Sequence, residues 1–316
     1  MRELTLTRDN ALIDPSLQIW GWEIPLYLFL GGLVAGMMII SGYFVFKGRH
    51  KEVSCSCVAL PLLGIVLLSI GMLALFLDLD HKLYAWRMYT TFQVASPMSW
   101  GAWILILVYP ALLAGMLVRL PAFLTARLPW LKTYSAKLTA SEGATRTVGV
   151  VNMLLGAMLG IYTGILLSAF GARPLWNSPV LGLLFLISGL STAAAFVHLV
   201  SRDRHESMML AKADNGFLAA ELALLTLFLI GMVSSTRVHS EAAQLILTGS
   251  FAPVFWVFVV GLGILIPLFV QTLAMRGRIA HTPVAPMLVI AGGLILRFVI
   301  VYAGQVSHWT KTALTK

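Results

Sequence analysis

From Ile24 to Phe46 there is no charged side chain, a run longer than the ~20 residues an α-helix needs to cross the hydrocarbon core of a bilayer. In lipid each backbone amide must find its partner within the same segment, so such a run is helical. Further runs follow, and a hydropathy window of about 19 residues predicts eight spans, at 22–46, 58–78, 99–119, 148–170, 180–200, 216–236, 252–275 and 285–306. Only 11% of residues are charged and 59% are hydrophobic, where a soluble domain has roughly a quarter charged. The fold class is therefore all-α integral membrane, one polytopic domain over 1–316.

Eight spans return the chain to the side on which it starts. The connections after the first, third, fifth and seventh spans hold Lys47, Arg49, Lys51, Arg119, Arg127, Lys132, Lys137, Arg146, Arg202, Arg204, Lys212, Arg276 and Arg278. The other side holds fewer cations: Arg2, Arg8, Lys82, Arg87, Arg173, Arg237, Lys311 and Lys316. The richer side faces the cytoplasm, which puts both termini outside. The net charge of +9 thus reads as topology and lipid head-group contact rather than nucleic-acid binding. The first apolar segment follows a polar tail and is too long for a signal-peptide core, so no cleavable signal is expected. Cys55 and Cys57, the two cysteines present, are too few for a zinc or iron–sulfur site.

Trp20, Trp22, Trp86, Trp100, Trp103, Trp176, Trp256 and Trp309 fall on or near the outer side and Trp130 alone within. An aromatic belt decorates both interfaces, so this excess points to a docking surface or binding site outside. Gly32 and Gly36, then Gly156, Gly160 and Gly164, recur every fourth residue, as needed where helices pack by close contact in lipid. Pro110 and Pro267 are expected to kink their helices, and the connection Leu120 to Thr147 reads as an amphipathic, interfacial segment on the inner side.

Glu23 and Tyr27, one helical turn apart at the outer mouth of the first span, place a carboxylate and a phenol on one face where a polar head group could sit. A membrane haem needs histidine ligands inside the helices. Of seven histidines only His198 lies within a span, the others being His50, His81, His205, His239, His281 and His308. Neither a haem nor a metal is expected. Arg297 near mid-depth must face the bundle interior. With Glu23, Asn152, His198 and Glu221 it could form a proton path, or it could be a structural ion-pair partner. Glu221 is expected about a turn and a half from the inner side. Asp78 closes the second span, with Asp80 and His81 beyond it. Phe92 to Trp103 and Tyr162 to Ser178 are outward stretches dense in polar and aromatic groups.

Four separated motifs, WGWEIPLYLFLGGLVAG, SPMSWGAW, YTGILLS with RPLWN, and LRFVIVYAGQ, resemble the NrfD, or polysulfide-reductase membrane-subunit, family over essentially the whole sequence. The resemblance implies two four-helix bundles, 22–170 and 180–306, in the bacterial cytoplasmic membrane. It also implies no haem, and a menaquinone or ubiquinone site near the outer face beside a docked iron–sulfur subunit, which meets a molybdopterin-type or other catalytic subunit. Glu23 then occupies a first-helix position where relatives often carry histidine, and Tyr162 the fourth-helix tyrosine that meets the quinone. Tyr27, Asp78, Trp100, Arg173, Trp176 and Gln305 join them as candidates because they share the outer face. A secondary transporter and a passive membrane anchor are the alternatives.

Overall fold

The computed structural model describes residues 20–49, 59–79, 81–201, 204–276, 278 and 282–307, without the side chains at 122, 123, 204 and 205. Outside these fall Arg2, Arg8, His50, Lys51, Cys55, Cys57, Asp80, Arg202, His281, His308, Trp309, Lys311 and Lys316, and the side chain of His205. Among the described residues all regular structure is helical. Eight helices are long and apolar enough to cross a membrane: Glu23–Phe46, Leu60–Asp78, Pro97–Val118, Glu142–Ser168, Val180–Val200, Glu206–Ser234, Val254–Met275 and Val284–Val306.

The first span is the axis of the molecule. Its apolar window is 89% buried inside the protein, against 28% for the sixth span, and it packs on the second, fourth, fifth and eighth spans. The fourth span also meets the third and fifth, and the fifth meets the sixth and eighth. Leu73, Leu227, Ile230 and Phe269 on the outer helices stay exposed, as a lipid-facing surface requires.

The small-residue ridges are where backbones touch. A side chain at Gly36 would lie 2.6 Å from the Gly189 carbonyl, and one at Gly156 would lie 2.7 Å from that of Ala35. Gly32 faces Arg297 and Gly189, Gly160 faces Leu186, and Gly164 sits on the Leu181 carbonyl. The first, fourth and fifth spans are thereby held at van der Waals distance, the main source of helix association where lipid tails compete for apolar contact.

Two helices start earlier than hydropathy suggests. The fourth begins at Glu142, where Ser141 caps it by accepting from the Ala144 amide at 3.3 Å. The sixth begins at Arg204, which takes in Lys212 and Asp214. A hydropathy window discards polar first turns, although nothing prevents a helix from starting in the head-group layer. Glu221 stands about 25 Å along this helix from Arg204, and near Arg297 of the eighth span.

The connection before the fourth span folds into short helices Ala122–Arg127 and Trp130–Thr139. An amphipathic helix, Arg237–Leu247, lies between the sixth and seventh spans and buries Val238, His239, Ala242, Ala243 and Ile246. The seventh span is wound as a π-helix over Val254–Leu265 and becomes α-helical at Ile266. Pro267 thus sits in the first turn of an α-helical segment, where its missing N–H is tolerated. Pro110 is inside the third helix.

Candidate functional site

Tyr27 and Tyr162 come together. Both are buried and both line a narrow cavity of about 20 Å³ with Leu75, Met88, Tyr89, Met98, Gly101, Ala102, Leu105 and Leu166. The Tyr162 ring rests on the backbone of Gly101, in space that a Cβ there would occupy. SPMSWGAW and YTGILLS, far apart in sequence, therefore supply the floor and the phenol of one site. Met88 and Met98 also line a second, adjoining cavity of about 300 Å³, with Arg87, Thr91, Gln93, Ser96 and Ser99.

The segment over this site is built locally. Pro97 opens the third span after the extended Ser96, and the Ser99 hydroxyl accepts from the Gln93 amide at 3.0 Å and donates to the Thr91 carbonyl at 3.2 Å. A one-turn helix, Arg87–Thr90, carries Met88 and Tyr89 inward, with the Arg87 guanidinium 4.6 Å from the Tyr84 ring. Burial, and next the neighbouring Tyr109, raise the Tyr89 phenol above its ordinary value. Tyr89 escapes a search confined to the apolar spans because it lies outside all of them, yet the density of aromatic and cationic residues in LYAWRMYTTF is a signal for a folded cap. Trp100 donates to the Val94 carbonyl at 2.8 Å and does not line the cavity.

Glu23 stands at the rim. It is half-exposed in the first turn of the first span, favourable for an acid at a helix N-terminus, its carboxylate close to Gly21. It lines neither cavity, nor does Asp78, the last residue of the second span.

Arg173, Trp176 and Gln305 also meet, but around Trp20. Gln305 accepts from the Trp20 amide at 2.9 Å and donates to its carbonyl at 3.0 Å. Arg173 donates to the carbonyls of Gln305 and Ser307 at 2.5 and 3.2 Å. Trp176 donates to the Ile300 carbonyl at 2.8 Å, stacks on Trp20 at 5.1 Å, and lies against Gly304. Gln305 fastens the C-terminal end of the eighth span to the segment before the first, and Arg173 and Trp176 fasten the connection between the fourth and fifth spans to the same end.

Deep in the molecule Arg297 donates to the Ser188 hydroxyl at 2.6 Å and to the Phe185 carbonyl at 3.0 Å, its guanidinium 4.4 Å from the Phe185 ring. Glu221, buried on the sixth span, is near enough to Ser188 and Arg297 to feel both electrostatically. Asp214, unassigned by the sequence, accepts from Ser191 and from Gln271, each at 2.7 Å. Its signal was its spacing: seven residues before Glu221, it lies on the same helical face. His198 is in the last turn of the fifth span, its Nδ1 3.0 Å from the Ser207 carbonyl. Asn152 belongs elsewhere, donating to the Ala111 and Val148 carbonyls at 3.0 and 2.9 Å and so joining the third and fourth spans. Among the described residues no cluster of histidine, cysteine and acidic groups could hold a metal ion.

Residues 12–308 match the family described as "Polysulphide reductase, NrfD". Protein NrfD homolog of Haemophilus influenzae is 30% identical, over 96% of this sequence and 99% of that protein. A polysulfide reductase component of Wolinella succinogenes is 32% identical, over 91% and 94%, and protein NrfD of Escherichia coli 29%, over 96% and 99%. With eight helices fit to cross a membrane and a match along nearly its whole length, the protein belongs to the NrfD family of polysulfide-reductase membrane subunits.

Proposed function

We propose that the protein is the haem-free, quinone-reactive membrane subunit of a multi-subunit respiratory oxidoreductase in the bacterial cytoplasmic membrane. It exchanges electrons between menaquinone or ubiquinone and an iron–sulfur subunit docked outside, which is joined to a molybdopterin-type or other catalytic subunit. The observation that carries this reading is the pair Tyr27 and Tyr162 on one apolar slit near the tryptophan-rich rim. The family match supports it, as does a relative whose name makes it one part of a polysulfide reductase. In this reading both termini are outside and the spans form bundles 22–170 and 180–306, with the first, fourth, fifth and eighth, which pack on one another, along the seam.

The slit suits a quinone head in chemistry. Such a head is a flat apolar ring with two acceptor oxygens, and when bound it supplies two-electron, two-proton chemistry. Tyr27, Tyr89 and Tyr162 offer phenol donors, while leucines and methionines offer apolar walls. The slit is narrower than a ring, so binding moves Met88 and Met98 toward the adjoining cavity; methionine is flexible enough for this. Glu23, half-exposed at the rim, exchanges protons with the outer surface. Asp78, Trp100, Arg173, Trp176 and Gln305 shape the rim around it.

The buried set of Arg297, Ser188 and Glu221 favours a second element, a proton path from the inner side toward the site, which makes turnover electrogenic. Asn152 and His198 are its weaker members. A secondary transporter would use buried charges too, and a passive anchor would use none of these groups for chemistry.

The test is Tyr162→Phe and Glu23→Gln in the purified complex, with quinone turnover measured at unchanged subunit stoichiometry. At least a tenfold loss of turnover is expected for Tyr162→Phe, on the order of a lost acid–base contribution. Intact turnover in both variants leaves the anchor, and a protein that purifies without a cluster-bearing partner leaves the transporter.

A further inference from the structure

Between the third and fourth spans the sequence is heavily cationic. From Arg119 to Thr147 it holds five cations, Arg119, Arg127, Lys132, Lys137 and Arg146, against one acid, Glu142. Within this connection the helix Trp130–Thr139 packs on both spans. Leu131, Ser135 and Leu138, spaced by four and three residues, form its less exposed stripe, with Leu131 buried. The hydroxyl of buried Thr145 lies 3.4 Å from the Leu138 carbonyl, to which it can donate. The helix is thereby tied to the first turn of a membrane-crossing helix, where lipid meets water.

One step further round the same helix, Trp130, Tyr134 and Lys137 repeat the spacing and so share a face. The two rings meet edge to face at 6.0 Å and are 56% and 57% exposed. Such a pair is poorly placed in water, but it suits the head-group layer, which accommodates an apolar ring body with a polar tip. Lys137 continues that face, Lys132 is exposed on the first turn, and the exposed Arg127 ends the short helix before it. The pattern recurs at the adjacent end of the first span. Its last turn is set against the fourth span, where a side chain at Gly149 would lie 2.9 Å from the Phe46 amide nitrogen. There the Lys47 ammonium stands 5.8 Å over the ring of exposed Tyr43.

We infer that the helix Trp130–Thr139 binds the head groups of anionic phospholipids. Trp130 and Tyr134 enter the layer between head group and acyl chain, while Lys137, Lys132 and Arg127 meet the phosphodiester. Charge complementarity selects the lipid: a zwitterionic head group offers no net charge to five cations and one acid, whereas phosphatidylglycerol or a similar lipid does. The rings select a lipid over a soluble acidic protein, which would engage the cations and leave both aromatics in water. Lysine is a compact, strongly hydrated charge, fitted to a head group that stays partly wet. Each lysine near an anionic surface contributes about a fivefold factor in affinity.

The surface takes no part in the slit, so it stands or falls apart from the quinone reading. Full-length protein in detergent is titrated with phosphatidylglycerol and, separately, with phosphatidylcholine of the same acyl chains, and Tm is followed. The parent is compared with Lys132→Gln/Lys137→Gln and with Trp130→Phe, changes at exposed positions where substitution costs little stability. Brominated phosphatidylglycerol reports contact with Trp130 by quenching. Expected is a rise in Tm with phosphatidylglycerol that phosphatidylcholine does not match, with the apparent Kd raised about tenfold or more in the double-lysine variant. Part of the quenching should vanish in Trp130→Phe. Equal responses to the two lipids, a phosphatidylglycerol response that the double-lysine variant keeps in full, or quenching unchanged in Trp130→Phe overturns the inference. So does an equal rise in Tm with glycerol phosphate, which has the anion and no chains.

Discussion

The Tyr162 ring lies on Gly101, in the volume a methyl group there would fill. The glycine of the third span and the tyrosine of the fourth are thus one unit, and changing either alters the position of the phenol.

Gly101→Ala therefore displaces Tyr162 while leaving every donor present. Expected is a loss of quinone turnover approaching that of Tyr162→Phe, with little further loss in the double variant, because both changes remove the same placed hydroxyl. Steady-state turnover of the three complexes checks this; additive losses would separate the two residues.

Removing the Gln305 amide orphans both backbone groups of Trp20. Gln305→Leu is expected to cost about 1–3 kcal/mol and to lower Tm, with turnover per folded complex kept within about twofold, since Gln305 does not line the slit. Thermal unfolding followed by tryptophan fluorescence reads the change at Trp20 and Trp176.

Arg297→Met takes the guanidinium from Ser188, Phe185 and Glu221 at once. Losing the donor leaves the buried Ser188 hydroxyl and Phe185 carbonyl short of a partner, at a cost of about 1–3 kcal/mol, and Glu221→Gln in the same protein should recover part of the loss if the neighbouring charge adds to it. If the buried set also carries protons, turnover in proteoliposomes loses its dependence on membrane potential in Arg297→Met; an unchanged dependence confines these residues to structure.

Tyr89 supplies an alkaline signature. Burial raises its phenol above 10.0 in the folded protein, so its contribution to stability is fully present below the unfolded value and is lost as pH rises through the higher folded one. Tyr89→Phe should flatten the fall in Tm above about pH 10 and leave the neutral range little changed; a pH series of melting curves decides it.

Much of this architecture was legible because lipid imposes it. Runs such as Ile24–Phe46 had to be helices, and Gly36 and Gly156 had to be contacts. The first and third of the four motifs hold Tyr27 and Tyr162, which line one cavity. Three things were not legible, each for a physical reason. Arg173, Trp176 and Gln305 were grouped with the slit, but sequence cannot say that their polar atoms are taken by the backbone of the eighth span and of Trp20. Tyr89 sat in a connection that folds back under its own cap. Asp214 was lost because an average over hydropathy ends where the polar turns of a helix begin, although the backbone continues unbroken through them.

Trp20 and Gln305, 285 positions apart, close the molecule end to end. At roughly 5–20 residues per second, about 15–60 s of synthesis separates the emergence of the two. Throughout that interval the most enclosed helix must wait in the membrane without its final neighbour. A polypeptide that stops short of the eighth span is therefore left with an unlatched first helix, a defect that cellular proteases can recognise before any partner subunit arrives.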